Sequence, residues 1–153
     1  MLTWQCLPFS QLTTQQLYEL LKLRVDVFVV EQNCPYPELD SKDNLDGVFH
    51  LLGYDHDEIV ACARLLEKGV SYPSISIGRV ATKSAKRGSG LGHKLLEEAL
   101  FQCQKIWPNE EIEIGAQEHL AEFYQRHGFV KTSDMYLEDG IPHIDMKRAV
   151  IPS

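Results

Sequence analysis

Ile75-Ser76-Ile77-Gly78-Arg79-Val80-Ala81-Thr82-Lys83-Ser84-Ala85-Lys86-Arg87-Gly88-Ser89-Gly90-Leu91-Gly92 is the stretch from which the fold is read. Its first half, Ile75 to Ala81, is rich in β-branched and apolar residues and predicts a strand. The period then changes. Leu91, Leu95, Leu96, Ala99, Leu100, Cys103 and Ile106 share one helical stripe opposite Lys94, Glu97, Glu98 and Lys105, until Trp107-Pro108 ends it. A strand therefore runs through a glycine-rich turn straight into a half-buried helix of about four turns. At such a junction the first helical N–H groups lack backbone acceptors and, with the helix dipole, attract an anion. Glycines at 88, 90 and 92 let that anion reach the backbone. Lys83, Lys86 and Arg87 add a basic cluster, as a ligand carrying several phosphates requires.

Two common nucleotide motifs fail on spacing. GxxxxGK[ST] fails because His93-Lys94-Leu95 supplies no Gly-Lys-Ser/Thr, and GxGxxG fails because His93 takes the place of the third glycine. Upstream, Val48 to Tyr54 and Ile59 to Leu66 flank Asp55-His56-Asp57-Glu58 and predict a hairpin, with Ile75 to Ala81 continuing the meander. Glu31 to Gly47 is polar and proline-containing and reads as a long loop. Before it, Thr13 and Gln16 have capping-box spacing ahead of Leu17, Leu20, Leu21, Val25 and Phe28, a first amphipathic helix that follows a strand at Thr3 to Leu7. Downstream come a strand at Glu111 to Ile114, a short helix from Leu120 to His127 closed by Gly128, and strands at Phe129 to Thr132 and His143 to Lys147. This order implies a mixed sheet with helices on its faces.

The 153 residues, 44% of them apolar, suit one domain spanning 1–153 that builds its core without disulfides or metal. A net charge of −7 opposes general affinity for nucleic acid or membrane, and weakly favours cationic partners. Cys6, Cys34, Cys62 and Cys103 are scattered singly and read as reduced, mostly buried thiols rather than a zinc site. Met1-Leu2-Thr3-Trp4-Gln5-Cys6 has no leader pattern and no run of about eighteen apolar residues occurs, so a cytoplasmic location is the default expectation.

Arg87, Gly90 and Gly92 fit Arg/Gln-x-x-Gly-x-Gly/Ala, and in this the chain resembles the GNAT superfamily of N-acetyltransferases. Phe123-Tyr124-Gln125-Arg126-His127-Gly128-Phe129 is similar to that family's Tyr-x-x-x-Gly-Phe segment. The ElaA-like subgroup is matched at Leu23-Arg24 with Val27-Phe28-Val29-Val30-Glu31-Gln32, at Gly115-Ala116-Gln117 with His119-Leu120, and at Asp139-Gly140-Ile141-Pro142-His143. The resemblance implies an α+β fold with a central, mostly antiparallel mixed sheet of about six to seven strands flanked by about four helices. It also implies acetyl-CoA as co-substrate, with its diphosphate on Arg87, Gly88, Ser89, Gly90, Leu91 and Gly92. The strand containing Val80, Ala81 and Thr82 would pair with the pantetheine arm, a bulge would open a thioester slot, and an N–H near Val80 would meet the oxyanion. Gln117 stands where many members carry a coenzyme-contacting Asn seven residues before the tyrosine.

Amine acetylation needs a free amine, a polarised thioester and a proton for the departing thiolate. By the resemblance Tyr124 is the general acid. For the base, Glu31 is the first choice, a carboxylate ending an apolar run; His119 and His143 are candidates on the acceptor side and as alternative bases. Arg24, inside an apolar stripe, needs an acidic partner from the loop. Asp40, Asp43 and Asp46, with Glu138 and Asp139, are expected around the entrance for a cationic small-molecule or peptide amine. No covalent acyl-enzyme is required, and the chain leaves room for a homodimer. Two alternatives stand beside this reading: an acyl-homoserine lactone synthase-like enzyme, suggested by Arg24, Phe28, Asp43 and Asp46, and a non-catalytic acyl-CoA sensor that keeps only the phosphate turn.

Overall fold

The computed structural model describes residues 1–150, so positions 151–153 of the expected domain lie outside the described residues. Strand β1 (Leu2–Pro8) leads to helix α1 (Thr14–Val25), then to the meander β2 (Val48–Asp55), β3 (Glu58–Leu66) and β4 (Ile75–Thr82). Helix α2 (Leu91–Ile106), β5 (Ile112–Gln117), α3 (Ala121–Gln125), β6 (Val130–Lys131), β7 (Tyr136–Glu138) and β8 (Ile141–Arg148) complete the chain. The eight strands join one sheet in the order β1-β2-β3-β4-β5-β8-β6, with β7 on β8.

The α+β architecture agrees with the sequence reading, and two counts change. The sheet has eight strands rather than about six to seven. The added one is β7, a three-residue arm that turns on Asp139 (φ 50°) and Gly140 (φ 78°) into β8. Asp-Gly is a strong two-residue hairpin signal, but an arm this short carries no readable alternation. Three α-helices form rather than about four; Phe9–Gln11, Ser84–Lys86 and Glu118–Leu120 are single 3-10 turns.

α1 begins with the expected capping box. The Gln16 N–H donates to Thr13 Oγ1 at 3.0 Å, and the Thr13 N–H to Gln16 Oε1 at 2.9 Å. Its fully buried stripe is Leu20, Leu23, Arg24 and Val27, displaced around the helix from the expected one, of which only Leu20 is fully buried. Beyond Val25 the coil widens into a π-type turn over Asp26–Glu31, in which the Gln32 N–H reaches Val27 O and the Cys34 N–H reaches Val29 O.

Apolar residues on the two faces of the sheet build two cores. One face packs Leu51, Val60, Ile112 and Ile114 against Leu91, Leu95, Leu96 and Ala99 of α2. The other packs Leu52, Ile59, Cys62 and Ala81 under Leu20 and Leu23 of α1. Leu51 and Leu52 face opposite cores because successive strand residues do.

Two irregularities prepare the site. β4 and β5 are the one parallel pair among the described residues, and they register only at Ile75↔Ile112 and Ser76↔Glu113 before parting. On the other side of β4 the register with β3 passes from Cys62↔Ala81 to Arg64↔Gly78, so Arg79 and Val80 together oppose Ala63 as a β-bulge.

Candidate active site

At the end of β4 the chain enters the glycine turn. Gly88 (φ 90°) and Gly90 (φ 79°) lie in the left-handed region, and a Cβ at either would meet no atom within 4 Å. Gly90 is the N-cap of α2 and has no side chain to satisfy the first-turn N–H groups, which are thus free to meet an anion. Residues 87 to 90 are exposed, while Leu91 is buried and anchors the helix in the core. The basic cluster is engaged with carboxylates: Lys83 with Glu58 at 2.7 Å, Lys86 with Asp55 at 3.1 Å, and Arg87 with Glu31 at 2.6 Å. Arg87 also donates to Thr82 O at 2.8 Å, tying the turn to its strand. Glu31 therefore stands beside the glycine turn, bound to Arg87. The π-type turn carries it there by rotating the last residues of the helix off the ordinary helical face.

Where β4 and β5 part, a cavity of about 450 Å³ opens. Gly78, Arg79 and Val80 line it from β4, Gly115 to Gln117 from β5, Tyr124 from α3, and Glu138, Asp139 and His143 from the β7–β8 hairpin. Ala81 is buried and Thr82 half-buried beyond the bulge.

Tyr124 is buried edge-on between Phe123 and Phe129, with ring centroids 5.1 and 5.8 Å away. Burial pushes its hydroxyl up to about 12, so it holds its proton throughout the neutral range. His143 is buried; its Nδ1 donates to Ile141 O at 2.8 Å, which leaves Nε2 as the acceptor nitrogen, 3.5 Å from Glu138 Oε2. Gln117 exchanges amide hydrogen bonds with Gln32 at 3.2 and 3.3 Å, and its Oε1 accepts from His119 Nε2 at 2.9 Å. Gln117 therefore bridges β5 to the end of the π-type turn, whereas His119 is exposed.

Beneath the acceptor side lies an ionic network that supplies the partner expected for Arg24. Arg24 donates to Glu38 Oε2 at 2.5 Å and to Asp43 Oδ1 at 2.7 Å. Arg64 on β3 holds Asp40 through both oxygens at 2.8 Å and Asp43 at 3.1 Å. Arg79 binds Glu38 at 3.0 Å and Asp40 at 3.3 Å. Three guanidiniums thus balance three carboxylates, and the Tyr36 hydroxyl donates to Glu38. Although burial pushes the carboxyls of Asp40 and Asp43 up, the surrounding arginines outweigh it and hold both below the usual carboxylate range.

This placement corrects one expectation. Asp43 is committed to the network, Asp40 lines the cavity but is held by Arg64 and Arg79, and Asp46 is exposed away from it, so of the proposed entrance carboxylates Glu138 and Asp139 line the cavity outside the network. It also removes support from the homoserine lactone synthase-like alternative, because Arg24 and Asp43 are consumed by interior ion pairs. Sequence reasoning missed Arg64 and Arg79. Each is a lone arginine in a largely apolar strand, so the need for an acidic partner that holds for Arg24 holds equally for them.

The sequence matches the acetyltransferase (GNAT) domain family over residues 14–150, and the chain belongs to that family. More particularly, it is 46% identical over 151 residues to the protein ElaA of Escherichia coli (strain K12), covering 99% of each chain, which sets it in the ElaA-like subgroup. It is also similar to the crystal structure of an acyl-CoA N-acyltransferase from Pseudomonas aeruginosa, at 44% identity and a TM-score of 0.93 over 97% of this chain and 100% of that one. A GNAT family acetyltransferase from Elizabethkingia anophelis, solved with acetyl-CoA bound, shares the fold at 17% identity and a TM-score of 0.68, over 97% and 98% of the two chains. Among the described residues, no helix is long and apolar enough to cross a membrane.

Proposed function

We propose that this protein is a single-domain cytoplasmic N-acetyltransferase that moves an acetyl group directly from acetyl-CoA to a primary amine of a small molecule or peptide. The observation that carries this reading is the meeting of Val80, Tyr124 and His143 at one cavity, opened by strands that part just before the anion-binding turn. The backbone N–H groups from Gly88 to Gly92 hold the diphosphate, with the Arg87 side chain beside them. Beyond the parting of β4 and β5, the backbone of Val80 to Thr82 is open to an extended ligand arm, with Gln117 across the slot.

The deprotonated amine attacks the thioester carbonyl and the Val80 N–H donates to the developing oxyanion; collapse breaks the C–S bond, the thiolate takes the Tyr124 proton, and the acetylated nitrogen gives its surplus proton to the Tyr124 phenolate. Glu31 is not carried forward as the base, because it is bound to Arg87 at the turn. His143 takes that role: the Ile141 carbonyl keeps the proton on Nδ1 and leaves Nε2 to accept the proton of the amine. This sequence of steps needs neither a metal nor a covalent acyl-enzyme.

The test is release of free thiol from acetyl-CoA in the presence of polyamines, aminoglycosides, amino acids and peptide amines, with mass spectrometry of the products. An acetylated primary amine is the expected product. Tight binding of acetyl-CoA with no thiol released by any amine would instead establish the sensor reading. A second check addresses the turn. Gly90→Ala forces a side chain into the left-handed region, so we expect a loss of about 1–2 kcal/mol in stability. Its methyl group also stands where the phosphate approaches, and calorimetry should show coenzyme A binding weakened by at least about tenfold. Unchanged affinity would remove the turn from the coenzyme site.

A further inference from the structure

Among the described residues Arg79 is the one side-chain-bearing residue inside a strand with a positive φ, 50°. It stands at the β4 bulge, in a position for which glycine is the usual solution. A conformation of this kind persists only where the surroundings over-determine it.

Here the surroundings are visible. The Arg79 Nε donates to Glu38 Oε2 at 3.0 Å, and Nη2 donates to Glu38 O at 3.2 Å and to Asp40 Oδ2 at 3.3 Å. The guanidinium also lies 5.6 Å over the Tyr36 ring. Its partners are themselves immobilised, Glu38 by Arg24 of α1 and Asp40 by both oxygens on Arg64 of β3. On the backbone side, the Cys62 thiol lies 3.7 Å from the Arg79 carbonyl. The fork is therefore fastened to a frame built from α1, β3 and the loop, and the peptide that follows carries the Val80 N–H.

We infer that the Glu38–Asp40 clamp on Arg79 holds the β4 bulge in the geometry that aims the Val80 N–H at the thioester oxygen. Arg79 is a positioning residue for the oxyanion, and the loop carboxylates serve the backbone of the slot rather than the attraction of an amine. The inference rests on the reading above, in which Val80 is the oxyanion donor. Without the clamp, φ at residue 79 relaxes toward the extended region, the 79–80 peptide turns, and the N–H leaves the slot.

Arg79→Gly is the discriminating variant, because glycine accepts a φ of 50° without strain and Glu38 and Asp40 each keep another arginine. The protein therefore folds, but the bulge is no longer fastened. Amide NMR of the labelled protein, compared with acetyl-CoA and with coenzyme A, reads the acetyl-dependent shift of the Val80 N–H without needing an acceptor. The wild type is expected to show that shift and Arg79→Gly to lose it. With the amine that releases thiol fastest in the screen, kcat should fall about 30-fold or more, while KM for acetyl-CoA stays within about twofold. Arg79→Lys, which keeps the charge and reaches one carboxylate, should recover part of both signals. If the wild type shows the shift and Arg79→Gly keeps it with kcat unchanged, the clamp is structural only and the inference fails. Absence of the shift in the wild type overturns the Val80 assignment itself, and this inference with it.

Discussion

Tyr124→Phe is expected to lower kcat by about 10²–10³-fold while leaving coenzyme A affinity within about twofold. The change removes one oxygen from a buried ring whose packing against Phe123 and Phe129 is otherwise kept, so stability should hardly move. Proton transfer from Tyr124 is efficient only where the two proton affinities are near one another. A phenol pushed up to about 12 by burial is a poor donor to a thiolate in water, where thiols titrate near 8.5. In this interior, however, burial pushes the Cys62 thiol from 9.0 up to about 12 as well. Cys62 packs in the core under α1, not in the slot; the same kind of desolvation acting on a coenzyme thiolate beside Tyr124 raises it toward the phenol and narrows the mismatch. The corollary is a kcat profile with no alkaline limb from Tyr124 below about pH 11. Stopped-flow thiol release with and without the hydroxyl decides the matter; wild-type turnover in the Phe variant would end the proposed role.

The second large effect is on stability. Arg24→Ala should cost about 3–5 kcal/mol in urea unfolding, because it strips a guanidinium from two partners that stay in the interior. For a chain of this size each kcal/mol lowers Tm by roughly 2–4 °C, so a fall on the order of 10 °C is the calorimetric reading. A loss below about 1 kcal/mol would mean that water reaches Glu38 and Asp43 in place of the guanidinium. The same network sets an acid limit. Folded-state values of Asp40 and Asp43 are depressed, so their contribution is complete above the ordinary carboxylate value near 4 and is lost as pH falls below it. Unfolding midpoints followed from about pH 6 to pH 2 should therefore drop below about pH 4.

Much of the fold was legible because it is written in short-range terms. The capping box at Thr13, the stop at Trp107-Pro108, the left-handed Gly128 and the glycine turn each concern residues a few positions apart, where propensity and hydrogen-bond geometry act directly. Legibility failed where a local signal was too short or was overridden. The β7 arm has three residues, and the π-type turn turned Glu31 toward Arg87 in a way that no ordinary helical period would reveal.

By itself, then, the sequence determined the order of the longer elements, the glycine turn ahead of α2, and the family whose motifs include Arg87 to Gly92 and Tyr124. Tertiary structure decided which groups meet. The cavity draws on residues from Phe28 to His143, and Arg79 finds Glu38 from 41 positions away. Of the loop carboxylates, Glu38, Asp40 and Asp43 enter the arginine network while Asp46 stays at the surface. The physical reason is that a charge seeks compensation wherever burial has made it costly, and burial is a property of the assembled sheet, not of the neighbouring residues in the chain.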